Sequence, residues 1–374
     1  MKIAFCMPEK YLNTGGGGRI QILKTKEYIE RIYHHTVYIA HKPENVDVDT
    51  NIAHIFSMTH PDDPNYVSNF INITKSKGIK ICLSTIYWDY SYLLLSGPLG
   101  NIFGYSYSEK LYFFEKYLTV VLMKLINRPR HFGKQAKKKY ASILASVDAI
   151  LPNSIEEGNK LLEYICSDET NLKEKIYPIV NGVDVLPESN IANNTKIELP
   201  DNFVLEVGRI ESAKSQYMIV KSLFMDKDIP IVFLGKNHYP NSRYSRDLYK
   251  ISRKRGNVYF FDEIAYEEVP VFYQRALVHV LPSLRESPGL VSLEALSFGC
   301  KAVVADHRFT PVNTYFGDYV TVINPLDCKS IREGIFSEIN KKRDMDKIST
   351  EIKNKFTWKI AAKQTVDVYL KLIS

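Results

Sequence analysis

Short apolar runs alternate with amphipathic stretches along almost the whole chain. Residues 2–7 form the first run, and an amphipathic stretch follows from Arg19 to Ile32. Further strand-like runs lie at 36–40, 53–56, 79–84, 149–152 and 176–180. Helical patterns occupy 64–76, 106–126, 133–145 and 155–166. Asn153-Ser154 supplies a cap for the last of these helices. Between Asn181 and Asp201 the pattern breaks. Pro187, Pro200 and the polar run Glu188–Thr195 read as a linker or an interdomain crossing. The alternation then restarts, with strands predicted at 203–207, 230–235, 257–261, 277–281, 301–305 and 319–323. The helices between and after them fall at 214–224, 242–254, 266–275, 290–298 and 327–341. Two such halves predict an α/β protein with two doubly wound, parallel-sheet domains. Ligands of these folds bind beyond the carboxyl ends of the strands, which makes the cleft between two facing domains the expected site.

Length and composition agree. At 374 residues the chain exceeds what one core serves. With 45% hydrophobic and 24% charged residues it is an ordinary globular sequence, not a disordered one. The five cysteines have no metal-ligand or disulfide-framework spacing, which fits a reducing compartment. Met1–Phe5 leads straight into a strand without a signal-peptide layout, and the apolar stretch Tyr117–Ile126 is too short to span a bilayer. The expected location is therefore cytoplasmic, either free or peripheral on the inner face of the membrane. The net charge of +7 is concentrated: Glu109–Lys139 holds nine Lys/Arg against two Glu. This stretch and the aromatic residues from Tyr105 to Tyr117 suit either a solvated helix face or an anionic membrane surface touched through 105–140. No recognition motif accompanies the charge, so nucleic acid is not the expected partner.

Three segments carry candidate chemistry. Gly15–Gly18 lies between a strand and a helix, where glycine lets backbone approach a phosphate and the helix end favours negative charge; a plain flexible turn reads equally well. Gly208-Arg209 and Lys214 follow the first strand of the second half, placing two cations at the carboxyl edge where they can neutralise a diphosphate. The sharpest signal is Glu286-Ser-Pro-Gly289-Leu290…Glu294, in which one acid sits in a strand-to-helix loop and the other about one turn into the helix. One acid can reach sugar hydroxyls while the other holds a ribose. Amides around Pro288-Gly289-Leu290 point at whatever lies at the helix start.

With these blocks in order, the sequence resembles the family 4 retaining glycosyltransferases, which adopt the GT-B fold. Glu286 and Glu294 fit their Glu-x7-Glu motif, and Gly208-Arg209 with Lys214 fit their diphosphate-binding element. Asn181-Gly182-Val183-Asp184 and Leu151-Pro152-Asn153-Ser154 match segments of their first domain. The resemblance covers nearly the whole chain. It implies an acceptor-binding domain over 1–184, a nucleotide-sugar domain over 185–356, and a C-terminal helix within 357–374 that packs back on the first domain. It further implies that Glu286 contacts the donor sugar and that Glu294 binds the ribose. Arg209, Lys214 and the amides of Gly289 and Leu290 would hold the phosphates, with Gly17 and Gly18 approaching from the other domain. No cofactor is implied beyond a UDP- or GDP-sugar donor. Metal independence is expected, and no Asp-x-Asp motif suited to a nucleotide sugar is read. Many relatives carry His-Asp after the strand near residue 84; here Trp88-Asp89 stands in that place, so a Trp replaces the His and Asp89 takes a supporting role. Trp88 could stack on a sugar or be core. The function expected is transfer of a hexose-type sugar to a glycan or lipid-linked acceptor in the synthesis of surface polysaccharide such as lipopolysaccharide or capsule. The alternatives are a phage-type DNA-base glucosyltransferase and a GT-B sugar-nucleotide epimerase.

Overall fold

The computed structural model describes residues 1–9, 16–58, 63, 65–88, 100–101, 104–105, 108, 114, 134–165, 170–184 and 197–374. It divides into two compact units. One comprises Met1–Trp88, Asn127–Gly182 and Phe356–Ser374; the other comprises Asp89–Ile126 and Val183–Lys355.

The first unit is built on five parallel strands: β1 (Lys2–Cys6), β2 (Thr36–Ala40), β3 (Ile52–Phe56), β4 (Lys80–Ser84) and β5 (Ala149–Leu151), in the order β2-β1-β3-β4-β5. All five residues of β3 are buried, as expected of a central parallel strand covered on both faces. The covering helices are α1 (Gly17–Tyr33), α2 (Tyr66–Ser76), α3 (Lys134–Ser146), α4 (Ile155–Ile165) and the short α5 (Thr170–Lys173). The strand order reverses between β1 and β3, so the carboxyl ends of those strands form the switch point of this sheet.

A strand expected at 176–180 is reduced to a single bridge between Ile150 and Ile176. The backbone runs beside β5, with Tyr177 N donating to Ile150 O at 2.8 Å and Ile179 N to Pro152 O at 2.8 Å. The next ladder bond would run from the amide of residue 152 to Tyr177 O, and Pro152 has no N–H to offer, so no regular ladder develops. The helix expected at 106–126 falls almost wholly outside the described residues.

The second unit has six parallel strands: β6 (Phe203–Val207), β7 (Ile231–Leu234), β8 (Val258–Phe261), β9 (Ala276–Leu281), β10 (Ala302–Ala305) and β11 (Thr321–Ile323). Their order, β11-β10-β9-β6-β7-β8, puts the switch point between β6 and β9. Its helices are α6 (Gln216–Ser222), α7 (Arg243–Arg255), α8 (Val269–Arg275), α9 (Leu290–Ser297), the short α10 (Val312–Tyr315), α11 (Cys328–Asn340) and α12 (Met345–Lys355). Helix α7 shows why its ends fall where they do. The Ser242 hydroxyl accepts from Ser245 N, the last turn carries Arg253, Lys254 and Arg255, and Gly256 stops it at φ 77°. Tyr105 belongs to this unit's core and stands edge-on to Tyr244 at 4.8 Å, although its position in sequence placed it in the first domain and in a lipid-facing stretch. No helix among the described residues is long and apolar enough to cross a membrane.

Helix α13 (Trp358–Ile373) returns to the first unit and packs on α1. The Thr357 hydroxyl caps it, Gln364 accepts from Val180 N at 3.0 Å, and the Tyr369 hydroxyl meets His54 Nδ1 at 2.5 Å. Its start presses on Gly182, where an added Cβ would lie 2.2 Å from Thr357 C and 2.3 Å from Trp358 N. Backbone cannot yield as a side chain can. Gly182→Ala is therefore expected to destabilise this unit by about 2–3 kcal/mol, read as a lower urea midpoint at unchanged m.

Candidate active site

The switch point of the second sheet gathers the site. Strand β6 ends in Val207, and Gly208-Arg209 turns away from it. Gly208 N donates to Leu234 O at 2.9 Å and Ile210 N to Lys236 O at 3.0 Å, which fixes the turn to the end of β7. A 3-10 turn over Ser212–Lys214 then brings Lys214 back over the carboxyl edge before α6 begins, so the helix starts at Gln216, two residues later than its pattern suggests. From the neighbouring strand β9 comes the loop 282–289. Leu284 N donates to Ala213 O at 2.8 Å, and Glu286 N to Phe309 O at 2.8 Å, so the loop is tied to the Lys214 turn on one side and the loop after β10 on the other.

This arrangement places the Lys214 ammonium against Glu286 Oε1 in an ion pair whose two side chains are largely buried. Burial alone would lower the Lys214 pKa, but Glu286, Glu211 and Glu206 outweigh it and hold the ammonium above its ordinary value. Lys214 therefore stays cationic throughout the physiological range. Arg209 lies at the same edge but more exposed, with its guanidinium 3.3 Å from Glu211.

Gly289 ends the loop in a left-handed conformation, φ 85°, and α9 follows at once. A Cβ there would also sit 3.2 Å from Leu281 Cδ2 and 3.5 Å from Glu286 Cγ, so both backbone and packing favour glycine. The first-turn amides of α9, from Leu290 onward, are thus presented beside Glu286. Glu294 is buried on the same helix, where the Tyr273 hydroxyl donates to its Oε2 at 3.3 Å. Burial pushes the Glu294 carboxyl up to about 7; the Tyr273 bond opposes the shift and Asp184 adds to it. Through this charge, the last residue of Asn181-Gly182-Val183-Asp184 acts on Glu294.

Glu294 titrates near 4.3 in an unfolded chain and near 7 in the fold, so its contribution to stability is whole below about pH 4 and is lost as pH rises through 7. Glu294→Gln removes the titration. The variant should gain on the wild type by about 3 kcal/mol between pH 4.5 and pH 8, as measured by denaturant unfolding of the second unit at both values.

Sequence reasoning missed one acid at this site. Glu206 is fully buried at the end of β6, and burial holds its carboxyl well above the usual range, with the Lys214 charge opposing. Its Oε2 accepts from Gln216 Nε2 at 3.2 Å, while Oε1 has no hydrogen-bond partner. The signal was a lone carboxylate in the apolar strand Phe203-Val-Leu-Glu-Val207. Of the seven buried side-chain atoms without partners among the described residues, four belong to segments that build this site: Glu206, Ser215, Ser283 and Thr310. Unsatisfied groups concentrate where function overrides stability.

The remaining candidates lie in the first unit. Gly17 and Gly18 open α1 behind Gly16 (φ 132°), with no side-chain cap. An added Cβ at Gly18 would lie 4.0 Å from Ile86 Cδ1. Ile86 itself sits at φ 42°. It is held from both sides by Glu157 Oε1, which accepts from the Thr85 hydroxyl and from Tyr87 N. Trp88 is core: the residue is 1% exposed, with Lys160 Nζ 4.8 Å from the ring centroid, so it offers no stacking face. Asp89 and Gly15 lie outside the described residues. Among the described residues no group of His, Cys, Asp and Glu has the arrangement of a metal site. Asp47 and Asp49 both close on the Lys2 ammonium, at 2.8 and 2.7 Å.

Residues 188–355 match the family model described as glycosyl transferases group 1. The chain is 24% identical over 268 residues to the serotype-specific mannosyltransferase WbdA of Escherichia coli, covering 67% of this chain and 33% of that protein. It is 24% identical over 244 residues to D-inositol 3-phosphate glycosyltransferase of Streptomyces bingchenggensis, covering 61% of this chain and 53% of that protein. The chain thus spans a third to about half the length of these curated relatives. Among solved structures it is similar to HepE of Anabaena in complex with UDP and glucose, with a TM-score of 0.65 at 13% identity over 99% of this chain and 100% of that one. It is also similar to sucrose-phosphate synthase of Thermosynechococcus elongatus, with a TM-score of 0.67 at 17% identity over 99% and 98%. The two parallel-sheet units and these likenesses show the GT-B fold.

Proposed function

We propose that this chain is a retaining glycosyltransferase that moves a hexose-type sugar from a UDP- or GDP-linked donor to a glycan or lipid-linked acceptor in surface-polysaccharide synthesis. The observation that carries the reading is the constellation at the β6/β9 switch point: Lys214 against Glu286, with Glu294 one turn into the adjoining helix. A mannosyltransferase named as serotype-specific and a fold neighbour holding UDP and glucose point the same way.

In this reading Lys214, Arg209 and the amides at Gly289 and Leu290 bind the diphosphate. Glu294 takes the ribose hydroxyls, and Glu286 the hydroxyls of the sugar. As the anomeric carbon–oxygen bond breaks, its electron pair passes to the phosphate oxygen, and these cations and dipoles stabilise the charge where it develops. The acceptor hydroxyl forms the new bond and gives its proton to the leaving phosphate. No protein nucleophile and no metal ion are needed for that balance. We assign Asp89 a supporting role, and the Gly17-Gly18 helix start a place in phosphate binding. Action in the cytoplasm, at the inner face of the membrane, belongs to the same proposal.

The test is to incubate the protein with UDP-glucose, UDP-galactose, GDP-mannose and GDP-fucose, and to follow nucleoside diphosphate release and the anomer of the released or transferred sugar by NMR. One donor class should turn over with its anomeric configuration kept. Inverted product would contradict retention, and no turnover of any donor would contradict the donor assignment.

A further inference from the structure

The Lys214–Glu286 pair holds both side chains in contact with each other, yet the proposed chemistry needs Glu286 to face a sugar and Lys214 a diphosphate. An ammonium has three N–H donors, and one moved from a buried carboxylate onto a diphosphate still has a donor to satisfy from the protein side, because a buried donor left unpaired is costly. The structure supplies an acceptor. Glu206 Oε1 is fully buried and has no partner, while Gln216 Nε2 fixes the other oxygen at 3.2 Å. Gln216 is held in turn, donating to Arg209 O at 2.9 Å and accepting from the Tyr244 hydroxyl at 2.8 Å. The free oxygen therefore has a set direction. It points into the space above Gly208: a Cβ there would lie 2.9 Å from Glu206 Oε1 and 3.7 Å from both Cδ and Cε of Lys214. Because residue 208 is glycine, it places no side chain between the lysine stem and the second carboxyl group. Glu211 is a poorer alternative, being more exposed and engaged by Arg209.

We propose that Glu206 is a second acceptor for the Lys214 ammonium, and so the positioning residue that frees Glu286 for the donor sugar. The inference rests on the nucleotide-sugar reading above. When donor binds, Lys214 turns from Glu286 so that one N–H of its ammonium reaches Glu206 Oε1 and the others reach the diphosphate. Glu286 is left with open lone pairs for sugar hydroxyls.

The test separates the sugar from the nucleotide. Binding of UDP, UDP-glucose, GDP and GDP-mannose is measured by calorimetry on the wild type, Glu206→Met and Glu206→Gln. Glu206→Gln keeps the shape and the contact with Gln216, so it reports even where Glu206→Met folds poorly. For whichever nucleotide binds the wild type, the sugar conjugate should lose at least tenfold in affinity in Glu206→Met and at least threefold in Glu206→Gln. The bare nucleoside diphosphate should change less than twofold in both. A merely structural role would weaken both ligands alike, and that result, or no loss in either, overturns the inference while leaving the donor assignment standing. A wild type that binds none of the four contradicts the donor assignment itself and the inference with it.

Discussion

Lys214→Ala should lower kcat/KM for nucleoside diphosphate release from the donor by about a thousandfold. Two effects combine. The variant loses the cation that the fold keeps charged by surrounding it with Glu286, Glu211 and Glu206. It also strands the Glu286 carboxylate, 8% exposed, without its ion-pair partner. The loss should fall mainly in kcat, because charge on the leaving phosphate develops as the bond breaks. A steady-state comparison on the preferred donor checks this. A loss confined to KM would mean that Lys214 only binds.

Gly235→Ala should destabilise the second unit by about 4 kcal/mol and carry donor binding down with it. Gly235 sits at φ 146°, where a side chain is strained by roughly 1–3 kcal/mol. Its Cβ would also lie 2.3 Å from Gly208 O and 2.7 Å from Gly208 C, a backbone collision that adds roughly 1–3 kcal/mol. Relief requires the 208–210 turn to move away from β7, and that turn leads into Lys214. Chemical denaturation reads the first effect and calorimetry the second. A variant of wild-type stability would show that the two turns are not pressed together as described.

Much of this architecture was legible because parallel α/β units write themselves as apolar runs separated by amphipathic stretches. All six strands of the second unit lie within their expected positions or a residue of them. Legibility failed where tertiary context decides. Pro152 cannot be seen to interrupt a ladder until its neighbour is known to be the segment 176–179. Helix α12 shows only Ile348 and Ile352 with Ser349 as its buried set, too thin a stripe to announce itself. Tyr105 looks like an interfacial aromatic and is core, because its partner Tyr244 lies 139 positions away in sequence.

At the site, Arg209 and Lys214 could be picked out because they follow the end of a strand beside glycine, and Glu286 and Glu294 because they flank Pro-Gly where a strand-end loop opens a helix. The direct pairing of Lys214 with Glu286 could not, since it depends on β6 and β9 being neighbours at the switch point. Glu206 was passed over for a different reason. A carboxylate inside an apolar strand looks like a break in the pattern, and its burial within the field of Lys214 is seen only in the fold.

The second unit is expected to bind a nucleotide sugar through Lys214, Glu286 and Glu294. Thermal shift of the wild type and Glu294→Ala against UDP, GDP, ADP and their common sugar conjugates tests it most directly. One nucleotide class should raise the wild-type melting temperature, with linkage of about 2.7 kcal/mol at a ligand concentration one hundred times Kd, and Glu294→Ala should lose the shift. No shift of the wild type by any nucleotide, or an equal shift of both proteins, would contradict it.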